Sequence, residues 1–137
     1  MQFIPQGPPF EMVDAIVSTS NEATRTQFLI TESNIFTNNE GFLSEAALTE
    51  NMAQTAAAHT GYIAHQQNEL PPVGFIGAIK NLIVHQLPKV GDTIFTDMQF
   101  ITQIGNVHIV QTTITCNNQV VASAEFKIFL QENNKEA

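Results

Sequence analysis

Ser44 to Gln67, SEAALTENMAQTAAAHTGYIAHQQ, is the stretch that decides the fold. Ser44 offers a hydroxyl to an otherwise orphaned amide, and Glu45 stands in the first turn, where the helix dipole favours negative charge. The run then continues for about 22 residues, on the order of 33 Å of helix. Leu70-Pro71-Pro72 stops it. Ala46, Ala47, Ala53, Ala56, Ala57, Ala58, Ala64 and Gly61 leave most faces small, which blurs the apolar stripe of an ordinary surface helix. A surface helix rich in alanine for its propensity is one reading. Charged residues thin out between Glu50 and Glu69, however, which favours a buried helix approached closely by backbone on several sides, as a wrapped sheet requires.

On either side the chain alternates with period two. Residues 1–10 hold Pro5, Pro8, Pro9 and Gly7 and read as an irregular lead-in. Residues 11–18 read as a strand with Val13, Ala15 and Val17 on one face. Asn21-Glu22 turns the chain into a second strand, with Thr24, Thr26, Phe28 and Ile30 against Arg25, Gln27 and Leu29. NIFTNNEGF is turn chemistry, since Asn38, Asn39 and Gly41 tolerate left-handed backbone. After the helix four strands follow: GFIGAIKNLIVHQL, TIFTDMQFITQI, VHIVQTTITC and QVVASAEFKIFL, joined at Pro88–Asp92, Gly105-Asn106 and Asn117-Asn118. In the last strand Val120, Ala122, Ala124, Phe126, Ile128 and Leu130 share one face. Residues 131–137, QENNKEA, read as a polar, frayed tail.

Two strands, one long helix and four strands define an α+β fold with an antiparallel sheet. With one helix to cover it, the sheet must curl around that helix, dimerise, or do both. The 137 residues suit a single domain spanning 1–137. A net charge of −8 argues against nucleic acid or an anionic membrane as partner, and no apolar run is long enough to span a bilayer. The N-terminus lacks the marks of a secretion signal, and a lone cysteine, Cys116, permits no internal disulfide, so a cytoplasmic protein is expected. No metal site is expected either, because no carboxylate pair or His-x-x-x-His has ligand spacing.

Several segments together resemble a known family. IPQGPPFEMVDAI is similar to the Leu-Pro-His-Arg-x-Pro-Phe-Leu-Leu-Val-Asp opening of bacterial 3-hydroxyacyl-ACP dehydratases of the hot-dog fold. TENMAQTAA resembles their Glu-x-Met-Ala-Gln helix, and KVGDTI their Pro-Gly-Asp turn. NIFTNNEGFLSEAALTENMAQ is closer still to the dehydratase-like proteins of aryl-polyene and flexirubin clusters. The resemblance runs from about Ile4 to Leu130. It implies a highly curved antiparallel sheet wrapped around one long central helix, paired as a homodimer or with another hot-dog subunit. It also implies an acyl thioester of acyl carrier protein or coenzyme A as substrate, in fatty-acid or polyene-type biosynthesis, with no cofactor.

In that family a helix carboxylate and a histidine from the opposite subunit remove water from a 3-hydroxyacyl thioester. Glu50 matches the carboxylate, and Gln54, one turn on, stands where it can orient it. A glutamate held dry among alanines is a candidate acid/base. The histidine position reads Phe36 in an ungapped match and Asn34 with a two-residue shift, and neither is a proton shuttle. His59 falls near the opposite helix face from Glu50, His65 near the helix end, and His85 and His108 on strands. Gly74 and Gly77 interrupt a strand, as a bulge or as a place where backbone meets an acyl thioester. Lys80 and Lys89 are candidates for contacting phosphopantetheine or a carrier-protein surface.

Three functions fit these residues. One is an acyl-ACP or acyl-CoA dehydratase-like enzyme with Glu50 as acid/base and water, Asn34 or a second subunit in place of the histidine. Another is a hot-dog thioesterase in which Glu50 activates water beside Asn34. The third is a non-catalytic acyl-binding or partner subunit.

Overall fold

The computed structural model describes residues 1–131; the tail assigned to 131–137 lies outside the described residues from 132 onward. Six strands and one helix follow in the order β1 (Ala15–Thr19), β2 (Ala23–Leu29), α1 (Glu45–Gln66), β3 (Val73–Val84), β4 (Thr93–Ile104), β5 (Val107–Cys116) and β6 (Gln119–Gln131). All pairings are antiparallel, and the strands lie side by side as β1-β2-β4-β5-β6-β3. Short hairpins join β4 to β5 and β5 to β6, the latter through Asn117 and Asn118 in left-handed backbone (φ 53° and 63°).

The helix starts and stops where its sequence says it should. The Ser44 side chain accepts from the Ala47 amide at 3.2 Å, and Gln67 caps the far end. From Ala47 to Ala64 no residue of α1 is exposed. The sheet takes one side of it, where Leu48 and Met52 pack with Ile94, Ile114 and Phe126, all fully buried. Each such side chain contributes about 1.5–3 kcal/mol. Charged residues thin out along α1 because the sheet and the lead-in leave little of it facing water.

Polar residues line part of this interior, and each has a partner. Thr26 meets Thr55 at 2.8 Å, Thr96 donates to Asn51 Oδ1 at 2.5 Å, and Thr24 meets His59 Nδ1 at 2.6 Å. The alternation in β2 therefore buries threonines, not only hydrocarbons, on its inner face. Burial lowers the His59 pKa below its ordinary 6.5, with neighbouring His108 acting in the same direction and a backbone hydrogen bond at Asn21 opposing. The folded state thus takes up a proton less readily than the unfolded chain. As pH falls through about 6.5 the unfolded chain protonates first, and stability is lost. We expect the melting temperature to drop between pH 7 and pH 5, and to drop less in His59→Asn. An equal drop in both proteins would clear His59 of the effect.

Two strands depart from simple alternation. Residues 11–14 are not strand: Met12 and Val13 are buried, but side chains from α1, not a neighbouring strand, pair with the Met12 backbone. In β6 the pairing with β5 shifts between Ile114 and Thr115, so Val121 turns inward and Val120 is left 48% exposed. Strand β3 carries two such irregularities in its pairing with β6, around Gly77 and around Asn81, where φ is 55°. Bulges of this kind bend a strand and increase its twist, which curves the sheet around the helix.

Candidate functional site

The lead-in runs antiparallel to α1 and forms a second wall against it. At the helix C-terminal half, Phe3 meets Tyr62 and His65 edge-on, with ring centroids 5.4 and 5.5 Å apart. At the N-terminal half, two buried amides hold residues 10–12. Gln54 Oε1 accepts from the Met12 amide at 2.6 Å, while its Nε2 donates to the Phe10 carbonyl at 2.9 Å. Asn51 Nδ2 donates to the Met12 carbonyl at 2.7 Å. Both amides are fully buried, so these bonds are what makes their burial tolerable.

Between the lead-in, α1 and the adjoining ends of β3 and β6 lies a cavity of about 800 Å³. That volume is ample for an organic ligand. Its helix wall is the stripe Glu50, Ala53, Ala57, Thr60 and Gly61, and its far walls include Ile76, Ile128 and Leu130. Of the small residues that blur the amphipathic pattern, Ala53, Ala56, Ala57 and Gly61 border this space. Gly61 has a further reason: a Cβ there would stand 2.2 Å from the Phe3 carbonyl oxygen. Gly61→Ala must push the lead-in off the helix. We expect a loss of about 1–3 kcal/mol in denaturant unfolding, with faster proteolysis near residue 3. A variant as stable as the parent would show that the lead-in does not rest on this contact.

Glu50 is partly buried at the N-terminal end of the stripe, and Gln54 Nε2 donates to its Oε1 at 2.8 Å. The same Gln54 amide binds the Phe10 carbonyl, so the carboxylate is tied to the lead-in through one side chain. Of the other titratable groups lining the cavity, His65 and Glu69 lie toward the opposite end. At 1.5 Å per residue His65 is about 22 Å along the axis from Glu50.

The remaining candidates fall in two groups. Gly74 lines the cavity, with Leu130 3.3 Å from its would-be Cβ. Asn34, Phe36, Gly77, Lys80 and Lys89 do not line it. Asn34 shapes its own loop, accepting from the Phe36 amide at 2.8 Å and reaching Met12 Sδ at 3.7 Å. Phe36 packs against the core and toward Phe10. At Gly77 a Cβ would stand 2.1 Å from the Phe129 ring. Lys80 lies beside Lys127, whose pKa it lowers by hydrogen bonding and repulsion. The Lys89 amide donates to Asp92 Oδ2 at 3.1 Å in the β3–β4 turn.

Sequence reasoning missed Asn51 and the lead-in residues of the cavity wall. Asn51 carried a signal, as a polar residue in the midst of an apolar helix. The lead-in carried none, because its contacts with α1 span more than forty residues of chain.

A single antiparallel sheet curved about one long helix defines a hot-dog domain. The fold is shared with one chain of the dehydratase heterocomplex ApeI:P from Xenorhabdus doucetiae, at a TM-score of 0.87 and 15% identity, covering 96% of this chain and 90% of that one. It is shared also with smu.793 from Streptococcus mutans bound to acetyl CoA, at 0.74 and 18%, covering 96% and 98%. A hypothetical thioesterase with coenzyme A from Streptococcus pneumoniae gives 0.71 and 14%, covering 88% of each chain. The chain belongs to the ApeP-like dehydratase family, described as ApeP dehydratase, whose model matches residues 1–137. No curated protein matches the sequence. Among the described residues no helix is long and apolar enough to cross a membrane.

Proposed function

We propose that this chain takes a 3-hydroxyacyl thioester, of acyl carrier protein or coenzyme A, along the Ala53–Ala57–Gly61 stripe and that Glu50 transfers a proton in its dehydration. The observation that carries this reading is one carboxylate, fixed by Gln54, at one end of a mainly apolar cavity of about 800 Å³. An apolar cavity accepts the acyl chain, and the carboxylate meets the polar, reacting end. Removal of water needs a base for the proton beside the thioester carbonyl and an acid for the departing hydroxyl. Glu50 supplies one of these two functions, and no imidazole lines its end of the cavity.

The second function belongs on this reading to another hot-dog subunit docked along β3. That strand is a sheet edge, and Phe75, Ile76, Ile79, Leu82 and Ile83 are exposed along it. Val73, Gly74 and Ile76 of the same strand border the cavity, so a subunit pairing there adds residues to the site. The relative solved as a dehydratase heterocomplex supports a second subunit as partner. The test is to incubate the purified chain, alone and with co-expressed hot-dog subunits, with 3-hydroxyacyl thioesters and to follow the enoyl product. No product under either condition would defeat the reading.

Thioester hydrolysis is a second reading, favoured by Glu50 being, among the described residues, the sole titratable group at its end of the cavity. Water activated by Glu50 would release free thiol without enoyl product, and the same incubation distinguishes the two.

A further inference from the structure

Strand β3 is an open margin of the sheet, and its run of exposed apolar residues from Phe75 to Ile83 is spaced evenly about Ile79. Phe75 and Ile83 lie four residues to either side of it, and Ile76 and Leu82 three. The two breaks in the ladder, at Gly77 and around Asn81, fall two to either side. A second copy laid antiparallel on this margin matches the run and both breaks in one frame, with Ile79 facing Ile79 across a two-fold axis. Shape alone therefore admits a second copy.

Charge does not. Lys127 stands opposite Ala78 and Lys80 opposite Glu125, with the pair Ile79–Phe126 between them. Phe126 points into the core, so both lysines rise from the outer face of the sheet. Lys80 lowers the Lys127 pKa by hydrogen bonding and repulsion, and Glu125 opposes this only in part. Among the described residues neither lysine is in a salt bridge. In the two-fold frame Lys80 faces the second copy's Ala78 and stands diagonal to the second copy's Lys80, about 7–8 Å away. Beyond that Ala78 lies the second copy's Lys127. Four ammonium groups then gather on one face against two Glu125 carboxylates. The same frame turns from repulsive to attractive for a strand that carries carboxylates there.

We propose that Lys80 and Lys127 make β3 reject a second copy of this chain and select a subunit of unlike sequence, whose edge strand sets carboxylates opposite Ala78 and Lys80. The proposal rests on the reading that a hot-dog subunit docks along β3, and it names the chemistry of that subunit.

The test is sedimentation velocity of the full chain, of Lys80→Ser, and of fluorophore-labelled parent mixed with the charge-reversed copy Lys80→Glu/Lys127→Glu. Thermal melts check that each is folded, and Lys80→Ser decides alone if the reversed copy melts early. Lys80→Ser is expected to self-associate about tenfold more tightly than the parent, and the mixed pair to be about tenfold tighter than the parent with itself. Both shifts run against overall charge, because every substitution makes a chain of net charge −8 more negative. A parent that pairs with itself as tightly as with the reversed copy overturns the assignment and leaves docking along β3 standing. Weaker self-association of Lys80→Ser overturns it as well. Should no combination associate, docking along β3 falls together with the charge assignment, while enoyl product from the chain alone still judges Glu50.

Discussion

Glu50→Gln is expected to lower turnover of a 3-hydroxyacyl thioester by about 10²–10⁴-fold, the range general acid–base groups contribute. The size follows from the absence of a substitute: His65 and Glu69, the other titratable groups on the cavity, lie toward its far end. Structure should survive, because a glutamine at position 50 keeps an oxygen to accept from Gln54 Nε2, the bond now made at 2.8 Å. Substrate affinity should survive too, since on the proposed reading the acyl chain rests on Ala53, Ala57 and the facing apolar wall. The fall should therefore appear in kcat, with KM nearly unchanged. Should the variant retain more than roughly a tenth of the parent rate, Glu50 has no part in proton transfer.

The largest effect on stability is expected at Asn51. One side chain there bridges three elements: its Nδ2 holds the Met12 carbonyl at 2.7 Å, and its Oδ1 accepts from Thr96 of β4 at 2.5 Å. Asn51→Leu fills similar space but strands a buried carbonyl and a buried hydroxyl. Each stranded group costs about 1–3 kcal/mol, so a loss of about 2–6 kcal/mol is expected. Urea unfolding measures it, with Thr49→Ala as the control. Thr49 is bonded only within the helix surface, to the Ala46 carbonyl at 2.8 Å, and should move stability by less than about 0.5 kcal/mol. A loss at Asn51 no larger than the control's would mean that Gln54 and apolar contacts hold the Met12 segment without Asn51.

Helix α1 was legible from end to end because its signals are local: a capping serine, an acidic first turn, a proline stop. Strands β4, β5 and β6 were legible because their turns are written in Gly and Asn and their period is two. Reading failed where a long-range contact overrides the local pattern. Residues 11–14 alternate like a strand, yet the partners of Met12 are Asn51 and Gln54 of the helix. Val120 and Val121 look interchangeable until the shift against β5 decides which one turns inward.

The site divides in the same manner. Glu50 and Gln54 lie one turn apart, so their contact was visible in the spacing. Asn34 and Phe36 stand near the helix in sequence, but the Asn34 carboxamide closes its own turn, and Phe36 joins the core. Gly77 yields to the Phe129 ring, while Gly74 borders the cavity, a difference two glycines in one strand do not announce. The wall formed by residues 2–6 depends on how an irregular segment crosses a helix, which no periodicity encodes.

The two kinks in β3 constrain what that open margin is able to accept. A straight, apolar margin twelve residues long would invite copies to stack in any frame, the route to fibrils. The ladder with β6 is broken around Gly77 and again around Asn81, and breaks of this kind twist an edge away from flat, continuous stacking. Two such breaks in one margin guard against indiscriminate edge-to-edge association.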